Sequence, residues 1–179
     1  MADWVLSSGD YMRPHISRIA GDLDSGQEST AQSFLVGALL EYDSAVSTSN
    51  FRLKQAVRSA STVTSTALIG VAADPASSVT DRVITYWPIS PLIEFKARTR
   101  GSTIASTNVG QAYGLFFDST KNVFGVDLAN TASTSLRVVV TGLIDAIGDS
   151  GGYVRFKFGT PVGTASTNTF GGGASPLRY

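Results

Sequence analysis

The sequence contains no cysteine, a single histidine and two methionines in 179 residues. Without cysteine, disulfide staples and thiolate metal centres are excluded. One histidine, His15, leaves little for a transition-metal site, which usually recruits several such ligands. Charge is scarce as well. Asp, Glu, Lys and Arg make up 16% of the chain, against about 25% in a typical globular protein. Lys plus Arg number 14 and Asp plus Glu number 14, so the formal net charge is zero. A polyanion binder normally shows a basic excess, so the bulk charge speaks against a nucleic-acid partner. No apolar run approaches the roughly 18 residues of a membrane helix. The opening MADWVLSSGDYMRPH has no basic segment ahead of an apolar one. The expectation is a protein made in a cytoplasm, with no signal peptide and no membrane partner.

What the chain does have is an apolar fraction of 42%, enough for a buried core. Ser, Thr, Gly and Ala fill the positions where Lys and Glu usually stand. Such a surface suits packing against other protein, because few charges need desolvating. It equally suits a β domain rich in turns.

The clearest pattern is Leu136 to Gly159, LRVVVTGLIDAIGDSGGYVRFKFG. Val138 and Val140 alternate with Arg137 and Thr141. Val154, Phe156 and Phe158 alternate with Tyr153, Arg155 and Lys157. Period-two alternation gives a strand one apolar and one polar face. Between the runs, Gly148-Asp149-Ser150-Gly151-Gly152 tolerates positive φ and tight turns. The stretch predicts a β-hairpin whose Val/Phe face must be covered by earlier segments, since a lone hairpin is marginal in water.

Further short runs lie at Gln32 to Tyr42, with Gly37 marking a bend, and at Asn50 to Val57, which reads as strand or short helix. Thr62 to Ala73 follows and closes in the turn Asp74 to Ser78. Asp81 to Ile89 and Leu92 to Thr99 read as a second strand pair, joined at a corner set by Pro88 and Pro91. Gln111 to Phe117 and Asn122 to Leu128 flank a turn at Asp118 to Lys121. Seven or eight short runs with turn signals every 8 to 12 residues or so predict an all-β fold, a small antiparallel barrel or sandwich. No internal repeat of fixed period is visible. The expected organisation is an extended N-terminal arm over 1–31, a barrel or sandwich domain over 32–159, and a flexible Gly/Ser/Thr-rich C-terminal tail over 160–179. Isolated large side chains on the two ends, Trp4, Tyr11, Phe170 and Tyr179, are the candidate contacts with a partner or a second copy.

Reactive constellations are few. Gly148-Asp149-Ser150-Gly151-Gly152 matches the nucleophile motif of chymotrypsin-like serine proteases. That chemistry needs a His base and an orienting Asp, and His15 has too little chain before it to build the opening strands of such a barrel. The motif therefore reads as a hairpin turn. Glu41 with Asp43, and Asp145 with Asp149, are carboxylate pairs of the kind glycosidases use, but such pairs are common on β-domain surfaces. Asp22-Leu23-Asp24-Ser25-Gly26 opens like a calcium loop, yet Ser33 stands where the closing acid belongs. Asp118 with Asn122 is a weaker hint. Gly171-Gly172-Gly173 follows no strand and opens no helix, so it is not a phosphate loop. Trp87, Tyr86, Tyr113 and Tyr153 would form a sugar platform if exposed on one face, or serve a core or subunit interface. No catalytic, metal-binding or cofactor residue is assigned, and the expectation is a protein that is not an enzyme.

Four segments together resemble the decoration, or cement, proteins on the heads of tailed bacteriophages. They are Ala67 to Ala76 (ALIGVAADPA), the strand Arg82 to Ile89, Tyr113 to Asp118 (YGLFFD), and Arg137 to Asp145 (RVVVTGLID) with its Gly-rich turn. The likeness is one of pattern over residues 32–159 and does not extend to the two ends. It implies a structural virion protein that binds the outside of the capsid. There it would bridge copies of the major capsid protein as a homodimer or homotrimer. The alternative is a carbohydrate- or receptor-binding β-sandwich carried on a virion.

Overall fold

The computed structural model describes residues 12–14, 23–43, 52–55, 58–59, 62–63, 68–90, 92–131 and 137–159. It is all-β. In chain order the strands are β1 (Arg13–Pro14), β2 (Asp24–Glu28), β3 (Leu39–Tyr42), β4 (Arg52–Gln55), β5 (Arg58–Ser59), β6 (Thr62–Val63), β7 (Leu68–Ala72) and β8 (Val83–Pro88). They continue as β9 (Phe95–Arg100), β10 (Ala112–Asp118), β11 (Val123–Asp127), β12 (Arg137–Leu143) and β13 (Tyr153–Phe158). Among the described residues one 3-10 turn, Ser106–Asn108, precedes β10. Among the described residues no helix is long and apolar enough to cross a membrane.

Ten of these strands close into two five-stranded barrels. The first runs β2-β4-β3-β7-β8 and back to β2. In the second, β9 pairs β13, β13 pairs β12, β12 pairs β10, β10 pairs β11, and β11 returns to β9. The two rings have one connectivity. Numbered within its own barrel, each runs first, third, second, fourth, fifth, and each has one parallel pair, between its first and third strands. Closure removes the free edges that an open sheet would expose.

The likeness extends to single hydrogen bonds. Entering β3, Ala38 N–H donates to Leu35 O at 3.1 Å, Gly37 N–H to Ala72 O at 2.8 Å, and Ala72 N–H to Ala38 O at 2.8 Å. Entering β10, Gln111 N–H donates to Asn108 O at 3.1 Å, Gly110 N–H to Val140 O at 2.8 Å, and Val140 N–H to Gln111 O at 3.0 Å. Gly37 and Gly110 hold φ of 84° and 83°, where a side chain is strained, and this explains a glycine at both places. After β7, Ala73 and Asp74 N–H both donate to Thr85 O (3.0 and 3.3 Å), and the Asp74 carboxylate accepts Thr85 N–H at 3.1 Å. After β12, Ile144 and Asp145 N–H donate to Tyr153 O (3.0 and 3.4 Å), and the Asp145 carboxylate accepts Tyr153 N–H at 2.9 Å. The copies differ in the spacing around the fourth strand. Ala73 follows Ala72 directly, whereas three residues stand between Val140 and Ile144, where β12 slips register against β13. The repeat that sequence periodicity does not reveal is thus present as tandem topology.

Packing follows from alternation. β9 and β13 alternate buried and half-buried residues along their whole length. Their inward rings meet in the second barrel, with Phe95 5.3 Å from Phe158 edge-on and Phe156 5.5 Å from Phe158. In the first barrel Leu39, Leu40, Leu53, Val71 and Ile84 are fully buried. The buried apolar residues of the two barrels form one continuous cluster.

Two pieces of the N-terminal half also pair onto the second barrel. β1 pairs β9 at Arg13↔Lys96 and Pro14↔Phe95, and β6 pairs β10 at Phe116↔Thr62. β9 begins and β10 ends at one and the same end of that barrel, as their pairing with β11 requires. The link from β8 enters there, so both additions sit at the end nearest the first barrel. The opposite end carries the loops 101–111 and 144–152, which meet through a bridge between Thr103 and Ser150.

Several expectations from the sequence are corrected. The small barrel or sandwich expected over 32–159 is built as two barrels that share one continuous core. Asp24–Glu28, placed in the arm, is a strand of the first barrel. β8 and β9 do not pair with each other; they belong to different barrels, and Ile89 to Glu94 is the link. The strand in Gln32 to Tyr42 is confined to Leu39–Tyr42. The hairpin of β12 and β13 stands as expected, and the two runs flanking the Asp118 turn pair as β10 and β11.

Candidate functional site

Trp4, Tyr11, His15, Phe170 and Tyr179 lie outside the described residues, as do residues 1–11 and 15–22 of the expected arm 1–31 and the whole tail 160–179. The Gly148 to Gly152 segment is a turn at the far end of the second barrel. Gly148 and Gly151 hold φ of 97° and 75°. Gly148 N–H donates to Ile104 O at 2.8 Å and Ile104 N–H to Asp149 O at 2.9 Å, so the segment's work is to clasp the neighbouring loop.

The carboxylates are committed to structure. Lys54 Nζ lies 3.4 Å from both Glu41 and Asp43, and Ser29 Oγ donates to Asp43 at 2.5 Å. Desolvation pulls the Lys54 ammonium toward neutrality. The hydrogen bonds and charges of Asp43 and Glu41 outweigh it, so its pKa stands above the ordinary lysine value. Glu41 and Asp43 are thus joined through the Lys54 ammonium on one face of the first barrel. Glu28, fully buried, accepts Gln32 N–H at 2.9 Å and both the N–H and hydroxyl of Ser77 at 3.2 Å, tying the 29–38 loop to the 73–82 loop. Asp118 accepts the amides of Thr120 and Lys121, a turn-forming role. The sequence around Asp24 is strand, not an open calcium loop. Among the described residues no three His, Cys, Asp or Glu side chains converge.

The four aromatics do not form one platform. Tyr86 and Tyr113 are buried; the Tyr86 hydroxyl donates to Asp24 at 3.0 Å and Asn108 Nδ2 donates to the Tyr113 hydroxyl at 2.7 Å. Burial, reinforced by Tyr42 and Asp24, pushes the Tyr86 phenol well above its ordinary pKa. Trp87 packs half-buried against the core. Tyr153 lies on the outer face of the second barrel, beneath Lys96 and Arg98.

No family model, no curated protein and no solved structure matches the chain. The arrangement must therefore be read from its own geometry, and two features stand out that pattern reading of the sequence missed.

The first is a pair of equivalent loops. The β7–β8 loop of the first barrel exposes Val79 and, where β8 starts, Val83, at 55% and 60%. The β12–β13 loop of the second exposes Ile144 and Ile147 at 40% and 67%. Each loop is anchored by the same aspartate device, Asp74 in one and Asp145 in the other. The second feature is a basic face on β9 and β13, formed by Lys96, Arg98 and Arg100 beside Arg155 and Lys157. Arg155 stands directly opposite Lys96, and Tyr153 opposite Arg98. Uneven charge along the chain is the signal that could have found it. Residues 1–90 hold six cations and nine carboxylates; residues 91–179 hold eight and five.

Proposed function

We propose that the chain is a non-enzymatic structural protein of a tailed-phage head, which binds the outer capsid surface and bridges copies of the major capsid protein. The observation that supports this reading is the duplicated barrel with an exposed aliphatic pair in or beside the equivalent loop of each copy. A capsid surface repeats one subunit many times. A rigid body with two like contact points touches two subunits at once. Each contact alone is weak, because a few aliphatic side chains bury little area. Joined in one body they reinforce each other through effective concentration, by roughly 10²–10⁴-fold. The low charge of the chain fits this work, since the docking loops lose little hydration when covered.

The test is co-sedimentation with phage heads that lack the protein, using wild type, Val83→Asp, Ile147→Asp and the double variant. Each single variant is expected to weaken binding by about 10²-fold or more, and the double to abolish it, with circular-dichroism melts unchanged. Absence of wild-type co-sedimentation overturns the reading. Binding that survives either single variant intact overturns the two-point attachment.

A further inference from the structure

The two barrels supply an internal comparison, because one can ask what the same face looks like in each. Thr85 and Tyr153 occupy the same place by their hydrogen bonds to Asp74 and Asp145. Ser25 pairs Thr85 as Arg98 pairs Tyr153, so Ser25 corresponds to Arg98. Two residues on, Trp87 corresponds to Arg155; along the other strand Gln27 corresponds to Arg100. The first barrel thus carries Ser, Gln and Trp where the second carries three arginines. Some of these cations also serve the barrel itself, as where Arg98 Nε donates to the Tyr153 hydroxyl at 3.2 Å, but the first barrel closes without them. Their placement is even unfavourable, since Arg155 faces Lys96 across the ladder and opposed like charges destabilise a sheet. Glu94, 3.6 Å from Arg155, and Asp127, 2.8 Å from Arg100, offset part of it at the margins. Asp145 closes the end of β13 on the Tyr153 amide.

We infer that this outer face of β9 and β13, with Lys96, Arg98, Arg155 and Lys157 around Tyr153, docks a carboxylate-rich surface of another protein. Three observations select that occupant. The aromatic face that would stack nucleobases already carries cations: Lys96 Nζ lies 5.7 Å and Arg98 Cζ 5.4 Å from the Tyr153 ring centre. A single-strand binder uses such rings as open platforms. Second, guanidinium groups arrayed on a convex sheet match carboxylates in two-pronged fashion. Third, the described acids of the first half, where a second copy would offer its negative charge, are engaged within the chain. In the first half Glu41 and Asp43 hold Lys54, Asp81 holds Arg52, Asp74 holds Thr85, Asp24 holds Tyr86 and Glu28 is buried.

The inference deepens the capsid reading by naming the chemistry of a contact, and its test uses no heads, so the two fail separately. Full-length protein is titrated against labelled poly-L-glutamate and labelled oligo-dT at about 50 and about 200 mM salt, where ionic contacts separate clearly. Poly-glutamate binding is expected, weakening with salt. The double variant Arg98→Ala, Lys157→Ala is expected to lose about tenfold in affinity, while Lys121→Ala, an exposed cation in the β10–β11 turn, changes it less than about twofold. Light scattering of the protein alone completes the set, with a thermal melt confirming that the variants fold. No binding to poly-glutamate, equal loss with Lys121→Ala, or tighter binding of oligo-dT overturns the inference. So does salt-sensitive self-association that the double variant abolishes, which makes a second copy the occupant.

Discussion

The aspartate devices give the sharpest quantitative test of the repeat. Asp145→Ala removes a carboxylate that accepts Tyr153 N–H at 2.9 Å. Asp74→Ala removes one that accepts both Thr85 N–H at 3.1 Å and Thr85 Oγ at 2.5 Å. A hydrogen bond to a charged group contributes about 1.5–3 kcal/mol net. The backbone amide left behind loses the carboxylate acceptor it has in the fold. Asp145→Ala is therefore expected to cost about 2 kcal/mol, and Asp74→Ala about 3 kcal/mol because a second donor is orphaned. Urea denaturation followed by far-ultraviolet circular dichroism reads both as shifts in midpoint at constant slope. The companion variant Thr85→Val keeps the amide and deletes the hydroxyl, and should account for the difference between the two aspartates. A loss under about 0.5 kcal/mol at Asp145, or a smaller loss at Asp74 than at Asp145, refutes the claim that the two loops are built alike.

Two more perturbations follow from the geometry. A Cβ on Gly70 would stand 2.2 Å from the Tyr86 ring and 2.7 Å from Trp87 O, so Gly70→Ala should destabilise by about 1–3 kcal/mol, seen as a lowered melting temperature. The Tyr86 phenol is held neutral above its ordinary pKa of 10.0, so in the unfolded chain it ionises first as pH rises. Its contribution is complete below that value and falls away above it, and Tyr86→Phe should flatten the alkaline loss of stability between about pH 10 and 12 in denaturation midpoints.

How much of this was legible in the sequence depends on whether a feature is written in side chains or in backbone. The β12–β13 hairpin was legible because alternation and a glycine-rich turn lie side by side, and local pairing follows from local signals. β8 and β9 misled because alternation reports which face a residue takes and says nothing of which strand lies alongside; their partners are far away in the chain. β2 was hidden for a different reason. Its sequence, DSGQE, buries a glycine and a hydrogen-bonded glutamate, so it has no apolar alternation to read. The tandem barrels share only what their backbones demand: a glycine at positive φ before the second strand, and an aspartate after the fourth. Thr85 and Tyr153, Trp87 and Arg155, occupy like positions with unlike chemistry, so no period survives. The basic face was invisible in a net charge of zero because the first half cancels the second.

The additions of β1 and β6 to the second barrel bear on how the chain matures during synthesis. Arg13 pairs with Lys96, and Thr62 with Phe116. A ribosome releases the earlier member of each pair long before the later one. The first barrel has all its own strands once Pro88 emerges, yet both of its outreaching segments then wait for strands still unmade. Contacts of such sequence separation slow folding, because chain closure must precede the reward. Until they form, two short strands show unsatisfied backbone to the surroundings, and the nascent chain is most open to mispairing in that interval.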